Sequence, residues 1–183
     1  MNIDKAAKIR SGEELDAAKL NEFLKNKITD LGEIMDISQF PGGFSNLTYL
    51  IKTDKNEYVL RRPPFGASAK GGHDMGREFR VLRLLNNAGF NKIPTPVCID
   101  ETSEVMEGSF YVMQRLNGVI LRAKDAQNPA LTEGVMPQLC EKLIENFADL
   151  HNLDIEKTGL IALGKPEGYV RRQVEGWIQR YKK

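Results

Sequence analysis

Apolar residues near the start of the chain recur at helical spacing. They lie at roughly every third or fourth position across residues 15–28. Ser11 and Glu14 have the spacing of a capping box, in which a hydroxyl and a carboxylate bind the first free N–H groups of a helix. The pattern therefore predicts a helix that begins near Glu13 and ends before Gly32.

The spacing changes to that of β-strands after this helix. Apolar runs separated by turn residues predict a three-strand meander, with strands near residues 34–40, 47–51 and 58–60. Pro63 and Pro64 end the third strand, because proline cannot donate a hydrogen bond to the sheet.

A second helix and two further strands complete the predicted sheet region. Asp74 is placed to cap a helix whose apolar face runs to a glycine stop at Gly89. Short strands follow near residues 97–99 and 110–113. The second of these strands is apolar throughout, which predicts that it is buried on both faces.

The rest of the chain has only helical patterns. One helix is predicted to start at Thr132 and a last amphipathic helix to contain Trp177. The whole pattern predicts an α+β fold, with a five-stranded antiparallel sheet and one helix followed by the first helices of a helical lobe. The predicted parts are an N-terminal helix, a sheet lobe, a linker and the start of a helical lobe, at residues 1–31, 32–116, 117–131 and 132–183.

Composition restricts the function classes. The chain has 183 residues, 41% of them hydrophobic, and a formal net charge of +1, as expected of one globular domain without bulk attraction to nucleic acid or membrane. Residues 61–83 carry six basic and two acidic side chains, which fits either an anionic ligand or a solvated helix face. Pro63 and Pro64 interrupt any continuous basic helix there, which argues against nucleic acid.

The remaining sequence signals predict a cytoplasmic protein. The N-terminus lacks the apolar run of a secretory signal, and the sequence has no stretch apolar enough to span a bilayer. Cys98 and Cys140 lie far apart and fit no metal-binding spacing, so we expect reduced thiols.

Three short segments could carry chemistry, although each also fits ordinary structure. The first is a glycine-rich turn between two predicted strands, whose backbone amides could face phosphate oxygens. Its residues are Pro41, Gly42, Gly43, Phe44, Ser45 and Asn46. No Gly-Lys-Ser/Thr sequence and no helix follows directly, so it is not a P-loop.

The second and third segments lie on the later strands and the second helix. Arg61 ends the third strand and Glu78 lies in the first turns of the next helix, where the two could form an ion pair that holds phosphate. The strand containing Met113 leads into a strap at Gln114 and Leu116, whose free backbone groups could bind the edge of a nucleobase.

Together, in this order, the segments resemble the aminoglycoside phosphotransferase/choline kinase-like family, a branch of the protein-kinase-like fold. They are most similar to the subgroup associated with acyl-CoA dehydrogenases. The resemblance covers about residues 30–183 and is carried by GGFSNLTYLI, EYVLRRPPFG, GREFRVLRLL, PTPVCIDE, GSFYVMQRLNG and LCEKLIENFADLHNLD.

The resemblance implies a site for ATP or another nucleoside triphosphate in a kinase-like N-lobe. Gly42, Gly43, Phe44, Ser45 and Asn46 match the loop that covers the nucleotide. Arg61 stands where most of the wider family has lysine, and Glu78 matches the helix glutamate that pairs with it. Met113 corresponds to the back of the adenine pocket, with Gln114 and Leu116 as the backbone contacts.

The catalytic part of the family pattern is missing. The family has a His-Gly-Asp loop with an Asn five residues after the Asp, and a later Asp that holds magnesium. Here His73 lies on the wrong element, and the fifth residue after Asp154 is Gly159. We therefore assign no catalytic residue and no metal ligand, expect magnesium only in a full-length form, and expect this chain alone to be inactive.

Two interpretations remain open at this stage. The favoured one is the nucleotide-binding N-terminal portion of an ATP-dependent phosphotransferase that acts on a small-molecule hydroxyl and whose acceptor is unknown. The alternative is a non-catalytic module of kinase-like fold that binds a nucleotide or a protein. In either case, the apolar faces of the last helices predict a homo-oligomer, because large exposed apolar patches are uncommon on monomers.

Overall fold

The computed structural model describes residues 5–42, 45–67, 73–121 and 134–182. The strands in these ranges are β1 Ile34–Gln39, β2 Leu47–Thr53, β3 Glu57–Arg62, β4 Pro96–Asp100 and β5 Phe110–Gln114. The α-helices are α1 Ala17–Lys27, α2 Met75–Asn87, α3 Met136–His151 and α4 Tyr169–Tyr181, with a 3₁₀ helix at Leu160–Leu163. Gly43, Phe44 and Thr132, which the sequence analysis names, lie outside the described residues.

The five strands form one antiparallel sheet in the order β1-β2-β3-β5-β4. β1, β2 and β3 are the predicted meander, and β5 pairs with β3 at the centre of the sheet. β4 therefore lies at the edge, although it precedes β5 in the chain. The prediction of an antiparallel five-stranded sheet with a helix inserted after its third strand is confirmed.

The two faces of the sheet are covered by different helices. Strand alternation sends one set of side chains toward α1, and the core on this outer face includes Leu20, Leu24, Tyr49, Leu60 and Val112, all fully buried. The inner face packs against α2 through a smaller cluster of Met75, Phe79 and Tyr111. The site described below lies on this inner face.

The predicted start of α1 is wrong. The helix begins at Ala17, and Asp16 caps it by accepting hydrogen bonds from the Ala18 and Lys19 amides. The expected capping box does not form, because the Glu14 carboxylate binds the Gly12 amide and the Glu13 carbonyl accepts a hydrogen bond from Tyr49. Because the Glu13 carbonyl is bound to Tyr49 on the sheet, the helix begins one turn later than predicted.

The predicted ends of α2 are confirmed. Asp74 accepts a hydrogen bond from the Arg77 amide at 2.8 Å and caps the N-terminus. Gly89 follows the helix with a φ of 80°, a left-handed conformation that glycine adopts without strain. These two signals are local, so the sequence was sufficient to predict them.

The helices after the strap differ from the prediction in two details. The first of them begins at Met136 rather than at Thr132, with proline in its first turn, a position where the missing N–H has no cost. The 3₁₀ helix was not predicted, and it packs against α2. A 2.6 Å ion pair between Lys92 and Asp149 also joins the loop after α2 to α3.

A helix that crosses a membrane must be both long and apolar. Within the described ranges, none combines the length and the apolar character that crossing a bilayer requires.

Candidate functional site

Strand register brings Arg61 and Met113, two of the predicted site residues, to one face of the sheet. Thr48 pairs with Arg61, and Arg61 pairs with Tyr111 on the other side. Val59, two residues before Arg61, pairs with Met113. Directly paired residues share a face, so these five side chains line the inner face beside α2.

A cavity of about 310 Å³ opens where this face meets the strap after β5. Four of the predicted residues line it, namely Gly42, Met113, Gln114 and Leu116. The Gln114 N–H donates to the Thr95 carbonyl at 2.9 Å, while the Leu116 N–H donates to no backbone carbonyl of the described residues. The strap can therefore offer one backbone donor to a planar ligand in the cavity.

Several residues that line this cavity were not predicted from the sequence. Phe40, Thr48, Val59, Pro94, Val119 and Ile120 also line it. Phe40 directly precedes the glycine-rich turn, and Val59 lies two residues before Arg61 on the same strand, so strand alternation could have identified both. The other walls come from separate parts of the chain and needed the tertiary structure.

Arg115 is a further residue that the sequence analysis missed. Its guanidinium forms an ion pair with Glu57 at 3.3 Å, donates to the Asn117 side chain at 3.0 Å and lies 4.9 Å from the Phe40 ring centre. These contacts join the strap to the start of β3 and to the base of the glycine-rich turn. Arg115 therefore holds two walls of the cavity in place.

Glu78 is the centre of a polar cluster on the same face. Its Oε2 atom lies 2.9 Å from the Tyr111 hydroxyl and 3.4 Å from Nη2 of Arg61. Its Oε1 atom accepts a hydrogen bond from the Asn46 amide at 3.3 Å. The predicted pairing of Arg61 with Glu78 is thus present, although the ion pair is long.

Tyr111 donates a hydrogen bond to Glu78 in this cluster as a neutral hydroxyl. Burial raises the pKa of its hydroxyl far above the ordinary value, and the Glu78 charge adds to the rise while the Arg61 charge opposes it. The phenol therefore stays protonated at neutral pH and donates to the carboxylate.

Asn46 connects the glycine-rich turn to α2. Its side chain is buried, with the amide nitrogen on Glu78 and Oδ1 at 2.9 Å from Nδ1 of His73. Because an amide oxygen only accepts, His73 is the donor in this contact. Ser45, the neighbouring predicted residue of the turn, is exposed.

The space in front of this cluster is a second cavity of about 400 Å³. It is bounded by Arg61, Asp74, Arg77, Glu78, Val81, Leu82 and Tyr111. Nε of Arg61 is buried and has no hydrogen-bond partner among the described residues. The guanidinium is thus held by one long ion pair and keeps donors for an anion.

Arg62, next to Arg61, has a different environment. Its side chain is 1% exposed on the outer face, where it donates to the carbonyls of Pro63 at 3.0 Å and Glu107 at 2.8 Å. Its guanidinium also stacks on the Phe65 ring at 3.6 Å. Arg61 therefore faces the candidate site, whereas Arg62 stabilises the outer face of the sheet.

Among residues 5–42, 45–67, 73–121 and 134–182, no three His, Cys, Asp or Glu side chains form a group that could hold a metal ion.

The chain is similar in sequence to a known protein family and to individual proteins. Residues 36–183 match a family model described as the phosphotransferase enzyme family. Acyl-CoA dehydrogenase family member 11 of Rattus norvegicus is 32% identical over 164 residues, which are 90% of this chain and 21% of the relative. The chain therefore spans about a fifth of the length of this curated relative.

Solved structures show the same fold. A Ralstonia eutropha JMP134 protein assigned to the aminoglycoside phosphotransferases is 26% identical, with a TM-score of 0.74, over 92% of this chain and 48% of that chain. The GDP complex of wild-type aminoglycoside 2'-phosphotransferase-IIIa is 20% identical, with a TM-score of 0.61, over 92% of this chain and 52% of that chain. The predicted kinase-like fold is confirmed, and the chain spans about half the length of these two structures.

Proposed function

Because the chain belongs to the phosphotransferase enzyme family, as the resemblance predicted, we propose that it is the nucleotide-binding portion of an ATP-dependent phosphotransferase that acts on a small-molecule hydroxyl. The nucleoside triphosphate would lie across the inner face of the sheet. Its base would enter the cavity at the strap, and its phosphates would lie under the glycine-rich turn near Arg61.

The observation that carries this proposal is the placement of two complementary cavities on one sheet face. The cavity at the strap has apolar walls and one backbone donor, a combination suited to a planar base. The other cavity has a cation whose donors are mostly unused. A nucleotide matches both cavities, because its planar base suits the apolar cavity and its anionic phosphates suit the cavity beside Arg61.

A larger depression elsewhere fits a nucleotide less well. It measures about 640 Å³ and lies at the β2–β3 turn, where Lys52, Asp54 and Lys55 contribute to its wall. Its lining is more polar than that of the cavity at the strap, because charged side chains at an exposed turn contribute to it. The inner face therefore remains the better site.

Arg61 is the proposed contact for the phosphates. A guanidinium is planar, always charged and able to donate two parallel hydrogen bonds to phosphate oxygens. Backbone amides of the glycine-rich turn would add further donors. Magnesium, which phosphotransferases use, has no fitting ligand set among the described residues, so no step is derived through it.

We also propose a cytoplasmic location for this chain. Cys98 and Cys140 are both free, and burial raises the pKa of the Cys98 thiol to about 12, which keeps it protonated and unreactive. Free thiols of this kind are typical of a reducing compartment.

Titration with ATP, followed by the amide shifts of the chain in NMR spectra, tests the proposed site. We expect shifts at Gly42, Arg61 and Leu116 and their neighbours, because these positions surround the proposed base and phosphates. Leu20 and Leu24 on the outer face serve as internal controls and should stay unchanged, since the sheet separates them from the site. An absence of response around all three site residues at millimolar ATP would refute the assignment.

The exposed apolar faces of α3 and α4 carry a second proposal, that the chain self-associates through them. Large apolar side chains lie more than half exposed on these helices, at Leu143, Ile144, Phe147, Val170, Val174 and Trp177. Water contact with so many apolar groups is unfavourable, and a second copy of the same chain would cover them.

Sedimentation of the chain at tens of micromolar checks this proposal. We expect a dimer or larger species, and we expect Trp177→Glu to weaken the association because it places a charge on the apolar face. Met35→Glu is the matched control, since Met35 is exposed to a similar extent but lies on β1. A wild-type chain that sediments as a clean monomer would contradict the proposal.

A further inference from the structure

The carboxylate of Glu78 has a closer neighbour than the arginine with which it forms an ion pair. The Tyr111 hydroxyl lies 2.9 Å from Oε2, whereas Nη2 of Arg61 lies 3.4 Å from the same atom. Asn46 binds the other oxygen. Two neutral donors, one on each oxygen, thus determine the orientation of this carboxylate.

We infer that Tyr111 is a positioning residue, whose hydroxyl satisfies Glu78 and so leaves Arg61 available to the phosphates of a nucleotide. This inference rests on the proposed function. It assigns a role to a residue that lines the second cavity and lies on β5, but that was not predicted as a site residue from the sequence.

Glu78 and a bound phosphate would compete for the guanidinium of Arg61. A half-buried carboxylate must be compensated by hydrogen bonds or by a cation. With Tyr111 and Asn46 in place, Glu78 needs only a distant cation, and the arginine can turn toward an anion. Without the hydroxyl, Arg61 would move closer to Glu78, and a phosphate would have to compete with the carboxylate for it.

The ring of Tyr111 has a separate structural role. It is buried against Met75 and lies 6.1 Å from the Phe79 ring centre in the cluster between α2 and the sheet. Phenylalanine at this position keeps the ring and removes only the hydroxyl. Tyr111→Phe therefore tests the hydrogen bond without emptying the core.

The experiment compares ATP with adenosine, because adenosine carries the base and sugar but no phosphate. Dissociation constants are measured by NMR titration without added divalent metal, for the wild-type chain and for Tyr111→Phe. We expect the variant to bind ATP about tenfold more weakly, the effect of losing one hydrogen bond to a charged group. We expect its affinity for adenosine to stay within about twofold of wild type, since the base cavity is unchanged.

Tyr49→Phe is the matched control. Tyr49 is a fully buried tyrosine on the opposite face of the sheet, and its hydroxyl donates to the Glu13 carbonyl at 2.8 Å. The control loses a buried hydroxyl in the same way but has no contact with Glu78. We expect it to leave the ratio of the two dissociation constants unchanged.

A double-mutant cycle adds a second measurement. In a Glu78→Ala background, the hydroxyl of Tyr111 has no carboxylate to satisfy, so Tyr111→Phe should have no further effect on the ratio. A purely structural role of Tyr111 would lower the affinities for ATP and adenosine together, and the loss would persist in that background.

The possible outcomes separate the two proposals. A wild-type chain that binds ATP no better than adenosine would overturn the proposed phosphate site, and this inference with it. A wild-type chain that prefers ATP, together with a Tyr111→Phe variant that keeps the full preference or loses both affinities equally, would overturn the role of Tyr111 alone.

Discussion

Replacing Arg62 with alanine is expected to lower the free energy of unfolding by about 2–4 kcal/mol, while replacing the adjacent Arg61 costs less than about 1 kcal/mol. Arg62 is buried, and its guanidinium binds two carbonyls and stacks on the Phe65 ring. Alanine would leave a cavity and two carbonyls without their donor. The Arg61 side chain is one-third exposed and has one long ion pair.

For ATP binding we expect the opposite order, with the larger loss in Arg61→Ala and the smaller loss in Arg62→Ala. Arg61→Ala should weaken ATP binding by about 10- to 100-fold, because a charged donor to phosphate is lost. Arg62→Ala should leave the affinity of the folded fraction near wild type. Urea denaturation and NMR titration of the same two variants provide the measurements. If Arg61 proved the more destabilising position, or if Arg62→Ala abolished ATP binding in folded protein, the assignment of the two faces would be wrong.

The second prediction is that the 183-residue chain transfers no phosphate on its own. Phosphoryl transfer depends on positioning the acceptor and neutralising charge in the transition state. This sequence has no His-Gly-Asp loop followed by Asn, which supplies those groups in the family. Loss of a single transition-state stabiliser typically costs about 10²–10³-fold in rate, and several are missing here.

Asp74, which follows His73, and Asp154, which lies three residues after His151, have other roles in the structure. Asp74 caps α2. Asp154 accepts hydrogen bonds from the amides of Lys157 and Glu156, and its pKa is lowered mainly by the bond from the Lys157 amide. A carboxylate with a lowered pKa is a weaker proton acceptor, so Asp154 is poorly suited to act as a base.

An assay with radiolabelled ATP and a panel of small hydroxyl acceptors checks this prediction, with Arg61→Ala as the control. Background transfer in both proteins is the expected result. Turnover by the wild-type chain that disappears in Arg61→Ala would show that an unrecognised catalytic group exists. Asp74 and Asp154 would then be the first residues to replace.

Local signals explain what the sequence predicted correctly. The cap at Asp74 and the glycine stop at Gly89 act within one turn of helix, so neighbouring residues suffice to recognise them. The apolar run of β5 identified a strand buried at the centre of the sheet. Where local signals competed with distant contacts, prediction failed, as at Ser11 and Glu14, whose capping box is replaced by Asp16.

The candidate site was predicted less completely than the fold. Arg61 and Glu78 were paired from their positions on the third strand and the next helix, in agreement with the family resemblance, and their ion pair is present in the structure. The apolar walls of the base cavity and the contribution of Arg115 were not predicted. Arg115 lies on the strap, yet its contacts with Phe40 and Glu57 join positions more than fifty residues apart in the chain.

The order of the α-helices and strands followed from the sequence, because periodicity, capping and turn residues act over short distances. The family followed from the resemblance that its short motifs carry. The tertiary structure was needed to show that the Tyr111 hydroxyl binds Glu78 and that Arg62 is buried on the face opposite Arg61. Strand register places Arg61 beside Tyr111 and sends Arg62 to the other face. A one-residue shift of register would exchange the two arginines, and that register depends on packing across the whole sheet.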